Sequence, residues 1–331
     1  MTRVKPDFTL QAMEIQKLKV TGRRELATGI LEWTLADPNG KLLPGHRAGA
    51  HIDIHMAPQL VRAYSLTQPS AGDGTTQYVL AVALAAQSRG GSAHMHQKVQ
   101  LGHTLEVGQP RNLFPMADTE EPVLLMAGGI GVTPLLAMAR EREAQGRGWR
   151  MVLAARSRQH AAYLQELQAM SGTLHTHFDD EHGGRPLDVQ GVLTGLDRTT
   201  HIYCCGPQAL MDKVREVALA SGHPGERLHF ESFGGGAQEQ SGDRAFTVSL
   251  SRTGRDVAVP VGQTILDALE EAGVVVPSVC REGHCGSCEC MVVDGEIDHR
   301  DQILSEQERQ ANKSLMICVS RAIGERLVID L

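Results

Sequence analysis

The stretch Cys280–Cys288, "CREGHCGSC", places three thiols close together in a chain of 331 residues that has seven cysteines in all. Its spacing is C-x4-C-x2-C, and a further cysteine, Cys318 in "LMICVSR", stands shortly before the terminal apolar run "RLVIDL". Four thiolates hold a [2Fe-2S] cluster, and C-x4-C-x2-C with a distant fourth cysteine is the plant-type ferredoxin spacing. Gly283 and Gly286 suit a loop that must fold tightly and turn backbone N–H groups toward cluster sulfurs. The competing readings are a structural zinc site, a Rieske centre and an incidental group of buried thiols. Zinc ribbons use paired C-x2-C knuckles, of which this loop has one, and a Rieske centre needs two histidines where only His284 is at hand. Cys290 alternates with Cys288 and reads as a buried neighbour. The expected metal ligands are therefore Cys280, Cys285, Cys288 and Cys318.

Working outward, "FTVSLSRTGRDVAVPV" gives two alternating runs about a turn and "TILDALEEAG" a helix, so residues 244–331 read as a small α+β domain. The preceding "GGGAQEQSGD", residues 234–243, has nothing to bury and the composition of a linker. From "EPVLLMAGG" onward short apolar runs alternate with helical ones, among them "TPLLAMAREREA", "AAYLQELQAM" and "PQALMDKVREVALA". That alternation predicts a doubly wound parallel sheet over residues 119–233. In residues 1–118 the runs "HIDIHM", "VRAYSLT" and "YVLAVAL" are separated by "DPNG", "PG" and "GDG" turns, which predicts an antiparallel barrel interrupted by one helix, "SAHMHQKV".

Composition narrows the function. The chain has 41% hydrophobic residues, no apolar leader at its start and no run long enough to span a membrane, so a cytoplasmic protein is expected. In a reducing compartment an odd set of seven cysteines reads as metal binding or catalysis rather than as a disulfide framework. The net charge of −7 argues against nucleic acid as a partner. It is uneven: residues 244–331 hold nine Lys+Arg against fourteen Asp+Glu.

Two turns carry the nucleotide chemistry. After "PVLLMA" come Gly128-Gly129-Ile130-Gly131-Val132-Thr133-Pro134, where glycines let backbone approach a pyrophosphate and Thr133-Pro134 open a helix. This is not G-x-G-x-x-G, so the common dehydrogenase reading loses ground. A later strand ends similarly, "IYCCGPQALM", and both turns would face one crevice at the carboxyl ends of the strands. Cys205 then reads either as a soft contact for a nicotinamide ring or as a buried hydrophobe.

With "RAYSL", "GGIGVTP", "CCGP" and C-x4-C-x2-C…C in that order, the chain from about Glu14 to Leu331 resembles the phthalate dioxygenase reductase family, which includes the reductase component of vanillate demethylase. The resemblance implies a flavin barrel, a nicotinamide domain and a C-terminal ferredoxin, with FMN rather than FAD. It implies that Arg62, Ala63, Tyr64 and Ser65 line the flavin: Arg62 on the phosphate, Tyr64 against the ring system and Ser65 near N5. Gly90, Gly91 and Ser92 would cradle the phosphate. Gly129, Gly131, Thr133, Pro134, Arg156, Cys205, Gly206 and Pro207 would receive the nicotinamide nucleotide, with Glu231, Ser232 and Phe233 beside the rings. Ser65, Cys205 and Phe233 would be the residues closest to the reaction. One departure concerns the nucleotide. Where an acidic residue would favour NADH, this chain has Ala155-Arg156-Ser157-Arg158, and two arginines could tolerate the 2′-phosphate of NADPH. NADH is the expectation from the family.

A hydride brings two electrons together and a cluster takes them singly, so a flavin between them explains three domains in one chain. The family implies a terminal oxygenase of the Rieske and non-haem iron type as partner, docking transiently near the ferredoxin domain. Glu282, Glu289, Asp294, Glu296 and Asp298 would meet a basic patch on it. A free-standing NAD(P)H:acceptor or ferric reductase and a redox-sensing iron-sulfur flavoprotein are the alternatives. His175 and His177 read as strand residues rather than metal ligands, and His94 and His96 as helix surface.

Overall fold

The computed structural model describes residues 15–57, 60–85, 90–233, 242–274, 276, 278, 283, 286–301 and 303–331. Of the expected cluster ligands, Cys280 and Cys285 lie outside the described residues. The chain forms two compact units, one reaching Ser232 and one running from Phe233 to Leu331.

The first unit opens with an antiparallel sheet in the spatial order Leu60–Ser65, Ala50–Ala57, Thr104–Val107, Gln16–Ala27, Ile30–Ala36 and Tyr78–Ala83. A bridge between Leu66 and Leu80 joins its two edges, so the sheet closes into a barrel with no free edge there. Alternation drives the closure: Trp33, Leu35, Ile52, Ile54, Tyr78 and Leu80 point inward and are completely buried. A helix, Gly91–Gln97, lies on the barrel and is tied to it by His96, whose Nε2 meets the Val82 carbonyl at 2.8 Å. His96 is thus a packing residue and not the surface residue expected of it.

The same unit continues into a parallel sheet in the order Thr173–Phe178, Arg150–Ala155, Val123–Gly128, His201–Cys205 and Leu228–Glu231. Both faces are covered. Val123, Leu125 and Ala127 join one core with the Val132–Ala144 helix, and Leu124 and Met126 join another with the Gln208–Ala220 helix. Cys204 and Cys205, adjacent in sequence, therefore enter opposite cores.

The Val132–Ala144 helix buries nearly its whole circumference, because its far side meets Ile30, Ala48, Ala81 and Phe114 of the barrel. The joint is also polar. Glu141 accepts from Arg47 at 2.6 Å and from the Ala48 backbone N–H at 2.8 Å, and Arg140 donates to the Thr67 carbonyl at 2.9 Å.

The second unit is a mixed sheet in the order Asp256–Val259, Phe246–Leu250, Arg326–Ile329, Glu289–Asp294 and Ser314–Met316, with Phe246–Leu250 and Arg326–Ile329 parallel. The Ile265–Glu271 helix lays Ile265, Leu266, Ala268 and Leu269 on that sheet, and Thr264 caps it by accepting from the Asp267 N–H at 2.9 Å. This is the β-grasp arrangement. Arg321 is buried within it and donates to the backbone carbonyls of Arg244, Pro260 and Gln263. Among the described residues, no helix is long and apolar enough to cross a membrane.

Glu141→Ala strands the buried Ala48 N–H and releases Arg47. It should destabilise the first unit by about 1–3 kcal/mol in urea unfolding, whereas Arg47→Ala, which leaves the Glu141–Ala48 bond, should cost less. Equal stability of wild type and Glu141→Ala would show that the joint is purely apolar.

Candidate flavin, nicotinamide and cluster sites

The flavin candidates sit on the Leu60–Ser65 strand, whose register sets Arg62 opposite Ile54, Tyr64 opposite Ile52 and Ser65 opposite His51. Arg62 and Tyr64 share the face of the barrel core, and burial pushes the Tyr64 hydroxyl up to about 12. Ala63 is exposed, while Ser65 is buried. Gly90 has φ +91° at the start of the Gly91–Gln97 helix, and a Cβ on Gly91 would fall 2.6 Å from Arg62 Cγ. Arg62 therefore rests on the backbone of this turn. Ser92 accepts from the Ala85 N–H at 3.2 Å.

The last strand of the parallel sheet ends at Glu231. Its Oε2 is shut from solvent without a hydrogen-bond partner, and burial pushes the carboxyl up to about 8, against a smaller downward pull from the Ser65 hydroxyl. A buried acceptor left open beside Ser65 fits a ligand that brings a donor, as flavin and nicotinamide rings do. Ser232 closes this unit, and Phe233 opens the next with 41% of its surface exposed.

The two glycine turns are neighbours because Ala127 pairs with Cys205. They touch backbone to backbone: a Cβ on Gly131 would lie 2.1 Å from the Cys205 carbonyl oxygen, and one on Gly206 would lie 2.8 Å from Gly128 Cα. Pro207 closes over Gly128 in the same way, with its Cδ 2.6 Å from where a Cβ would stand. Gly129 adopts φ +56° with nothing near it, so its backbone stays open to a ligand. Thr133 and Pro134 are buried, and the Thr133 hydroxyl donates to the Ile130 carbonyl at 3.0 Å, so they shape the turn from behind. Cys205 is fully buried. Arg156 is exposed at the end of the second strand.

In the second unit the Cys288 and Cys318 thiols are buried. Gly283 and Gly286 adopt φ +72° and +77°, and a Cβ on Gly283 would meet Val319 at 2.6 Å and Asp301 at 3.0 Å. Only glycine fits that position. Two enclosed sulfur donors, with glycines in the neighbouring sequence held this tightly, suit an iron-sulfur cluster.

Residues 248–322 match the 2Fe-2S iron-sulfur cluster binding domain family, and residues 125–216 match the oxidoreductase NAD-binding domain family. A putative toluene-4-sulfonate monooxygenase system reductase subunit of Comamonas testosteroni is 42% identical, covering 94% of this chain and 98% of that protein. Phthalate dioxygenase reductase of Burkholderia cepacia is 38% identical over 95% of this chain and 97% of its own. The chain belongs to the phthalate dioxygenase reductase family. A solved phthalate dioxygenase reductase, described as a modular structure for electron transfer from pyridine nucleotides to [2Fe-2S], superposes with a TM-score of 0.76 at 37% identity, covering 96% of this chain and 98% of that one.

Three residues of this family member went unseen in the sequence. His51 and Asp53 alternate with Ile52 and Ile54, both are buried, and Arg111 reaches Asp53 at 2.6 Å and His51 at 3.3 Å. His51 stands opposite Ser65 and Asp53 opposite Ala63, so the contacts of Arg111 brace the strand that pairs with Leu60–Ser65. Only the tertiary pairing with Arg111 reveals them.

Two outcomes follow for this site. With its folded value near 8, Glu231 binds a proton that the unfolded chain releases at ordinary carboxylate pH, so flavin-free protein should lose stability as pH rises from about 5 to 8. Melts of Glu231→Gln should be flatter over that range, by roughly 2–4 °C per kcal/mol removed; parallel pH profiles would place the Glu231 carboxyl in water. Gly131→Ala should weaken nicotinamide binding at least tenfold, on the order of 1.4 kcal/mol, because the turn must move off Cys205.

Proposed function

We propose that this chain is the reductase component of a two-component, Rieske-type oxygenase, passing electrons from NADH through FMN to a [2Fe-2S] cluster and on to the oxygenase. The observation that carries this reading is the order of sites in one chain, matched along nearly its full length by reductase subunits of oxygenase systems. We assign residues 1–118 to the flavin barrel, 119–233 to the nicotinamide domain, 234–243 to a linker and 244–331 to the ferredoxin domain, and place the protein in the cytoplasm, where its thiols stay reduced.

The flavin supplies the exchange between a two-electron donor and a one-electron acceptor. The chain's own residues bind, orient and enclose. Gly129 and Gly131, with Cys205, Gly206 and Pro207, offer backbone to the nucleotide, backed by Thr133 and Pro134. Arg62, Ala63, Tyr64, Gly90, Gly91 and Ser92 receive the flavin. Ser65 and Glu231 provide buried polar atoms, with Ser232 next to Glu231 in the chain. Cys280, Cys285, Cys288 and Cys318 hold the cluster.

For docking, Glu289, Met291 and Val293 share the exposed face of the Glu289–Asp294 strand, flanked by exposed Asp294 and Glu296. An apolar strip with an acidic border suits a basic, partly apolar surface on the oxygenase. Asp298 drops out of this patch because it accepts from Arg300 Nε at 2.7 Å, and Glu282 lies outside the described residues.

Low-temperature EPR of iron-replete protein frozen anaerobically with NADH tests the electron path. A rhombic [2Fe-2S] signal is expected; a signal with dithionite but none with NADH would break the link to the nicotinamide. For docking, raising salt or introducing Glu289→Lys should slow electron transfer to the oxygenase while ferricyanide reduction by NADH stays unchanged. Oxygenase reduction indifferent to ionic strength would remove the acidic border from the interaction.

A further inference from the structure

The sequence lacks an acid after the second strand of the nicotinamide domain, where one would hold the adenosine ribose and disfavour a 2′-phosphate. Arg156 and Arg158 stand there instead. The fold shows that Arg158 is engaged. Its guanidinium lies over the Phe178 ring, 4.7 Å from the centroid, and its Nε donates to Glu181 at 2.7 Å.

Glu181 comes from the neighbouring turn, Asp179–His182, which follows the third strand. Several contacts hold this turn beside the second strand. The Asp180 N–H donates to the Arg156 carbonyl at 3.1 Å, His182 Nδ1 meets the Phe178 carbonyl at 2.8 Å, and the His177 and His182 rings stack at 4.3 Å. The Glu181 carboxylate is thereby fixed at the carboxyl ends of the second and third strands, the edge on which a parallel sheet of this kind takes the adenosine half.

We infer that Glu181 supplies the acid that the second strand lacks: it withholds Arg158 from a 2′-phosphate, sets a negative charge beside the adenosine ribose, and so selects NADH over NADPH. This rests on the reading of the protein as a nicotinamide-dependent reductase. An Arg side chain binds phosphate through paired N–H donors, and the Nε–Nη2 edge of Arg158 is spent on Glu181, at 2.7 and 3.4 Å, while its guanidinium plane is held over Phe178. Both residues are half exposed, and an exposed ion pair contributes little to stability. Its effect falls on ligand choice, and substitution leaves the fold intact.

The test compares two fragments, 2′,5′-ADP and 5′-AMP, by calorimetry on the flavin-loaded protein, with stopped-flow flavin reduction by NADPH and NADH in parallel. Glu181→Gln should raise the affinity for 2′,5′-ADP relative to 5′-AMP about tenfold, the size of one charge-assisted bidentate contact, and raise NADPH over NADH in reduction rate in the same direction. The double variant Arg158→Ala with Glu181→Gln should lose that gain. A change under about twofold in Glu181→Gln, a gain that persists without Arg158, or failure of both fragments to bind would each overturn the assignment. If neither nucleotide reduces the flavin of the wild type, the reductase reading fails, and the fragment ratio still decides the role of Glu181.

Discussion

Hydride transfer tolerates little error, since reacting atoms must approach to about 3–3.5 Å and a misplacement near 1 Å can cost two orders of magnitude. The grip of Glu141 on Arg47 and the Ala48 N–H answers that constraint. The helix carrying Glu141 begins at the glycine turn after the Val123–Gly128 strand, and Ala48 stands two residues before the Ala50–Ala57 strand that pairs with Leu60–Ser65. One continuous path therefore runs from the nucleotide turn, along a buried helix, through a carboxylate, to the strand bearing Ser65. A charge at this joint gives direction as well as adhesion. An apolar interface alone tolerates sliding, whereas a carboxylate that satisfies a buried N–H has one position.

The nucleotide turns obey a steric version of the same demand. Gly128, Gly131 and Gly206 are needed less for unusual dihedrals than for proximity: two backbones meet where any Cβ would collide. Neighbouring strands can then end side by side at one crevice, with Cys205 sealed beneath it and Cys204 directed into the opposite core. Burial pushes the Cys204 thiol up to about 12, which suits an inert packing residue.

Much of this was legible in the sequence wherever structure is set by local periodicity or by a spacing tied to chemistry. The barrel runs, the alternation of strands and helices, the glycine turns and the thiol spacing are of that kind. What escaped were pairings made in space. Arg111 meets Asp53, Glu141 meets Arg47, and Glu181 meets Arg158, each between segments that no sequence signature joins. The helix expected over 161–170 narrows to Leu164–Ala169 for a related reason. Ala161, Ala162 and Tyr163 are buried, and Tyr163 turns into the left-handed region at φ 60°, so packing overrides propensity at that end. In "HIDIHM" the period was right, but alternation reports two faces and not which of them meets water.

The ferredoxin unit solves a different problem, beginning a small fold cleanly after a glycine-rich stretch. Asp243 is paired with Arg300 and lies 3.9 Å from the buried Arg321, whose terminal nitrogens donate to three backbone carbonyls. A buried cation held chiefly by carbonyls is costly to strip of any partner, so it fixes the backbone of Arg244, Pro260 and Gln263 together. Arg321 also stands three residues after Cys318, and its guanidinium lies 5.0 Å over Phe246. The segment bearing the last thiol is thus anchored to the first strand of the domain. The outer face of Glu289, Met291 and Val293 carries none of this load and can be shaped by the needs of a partner without disturbing the core that encloses the thiols.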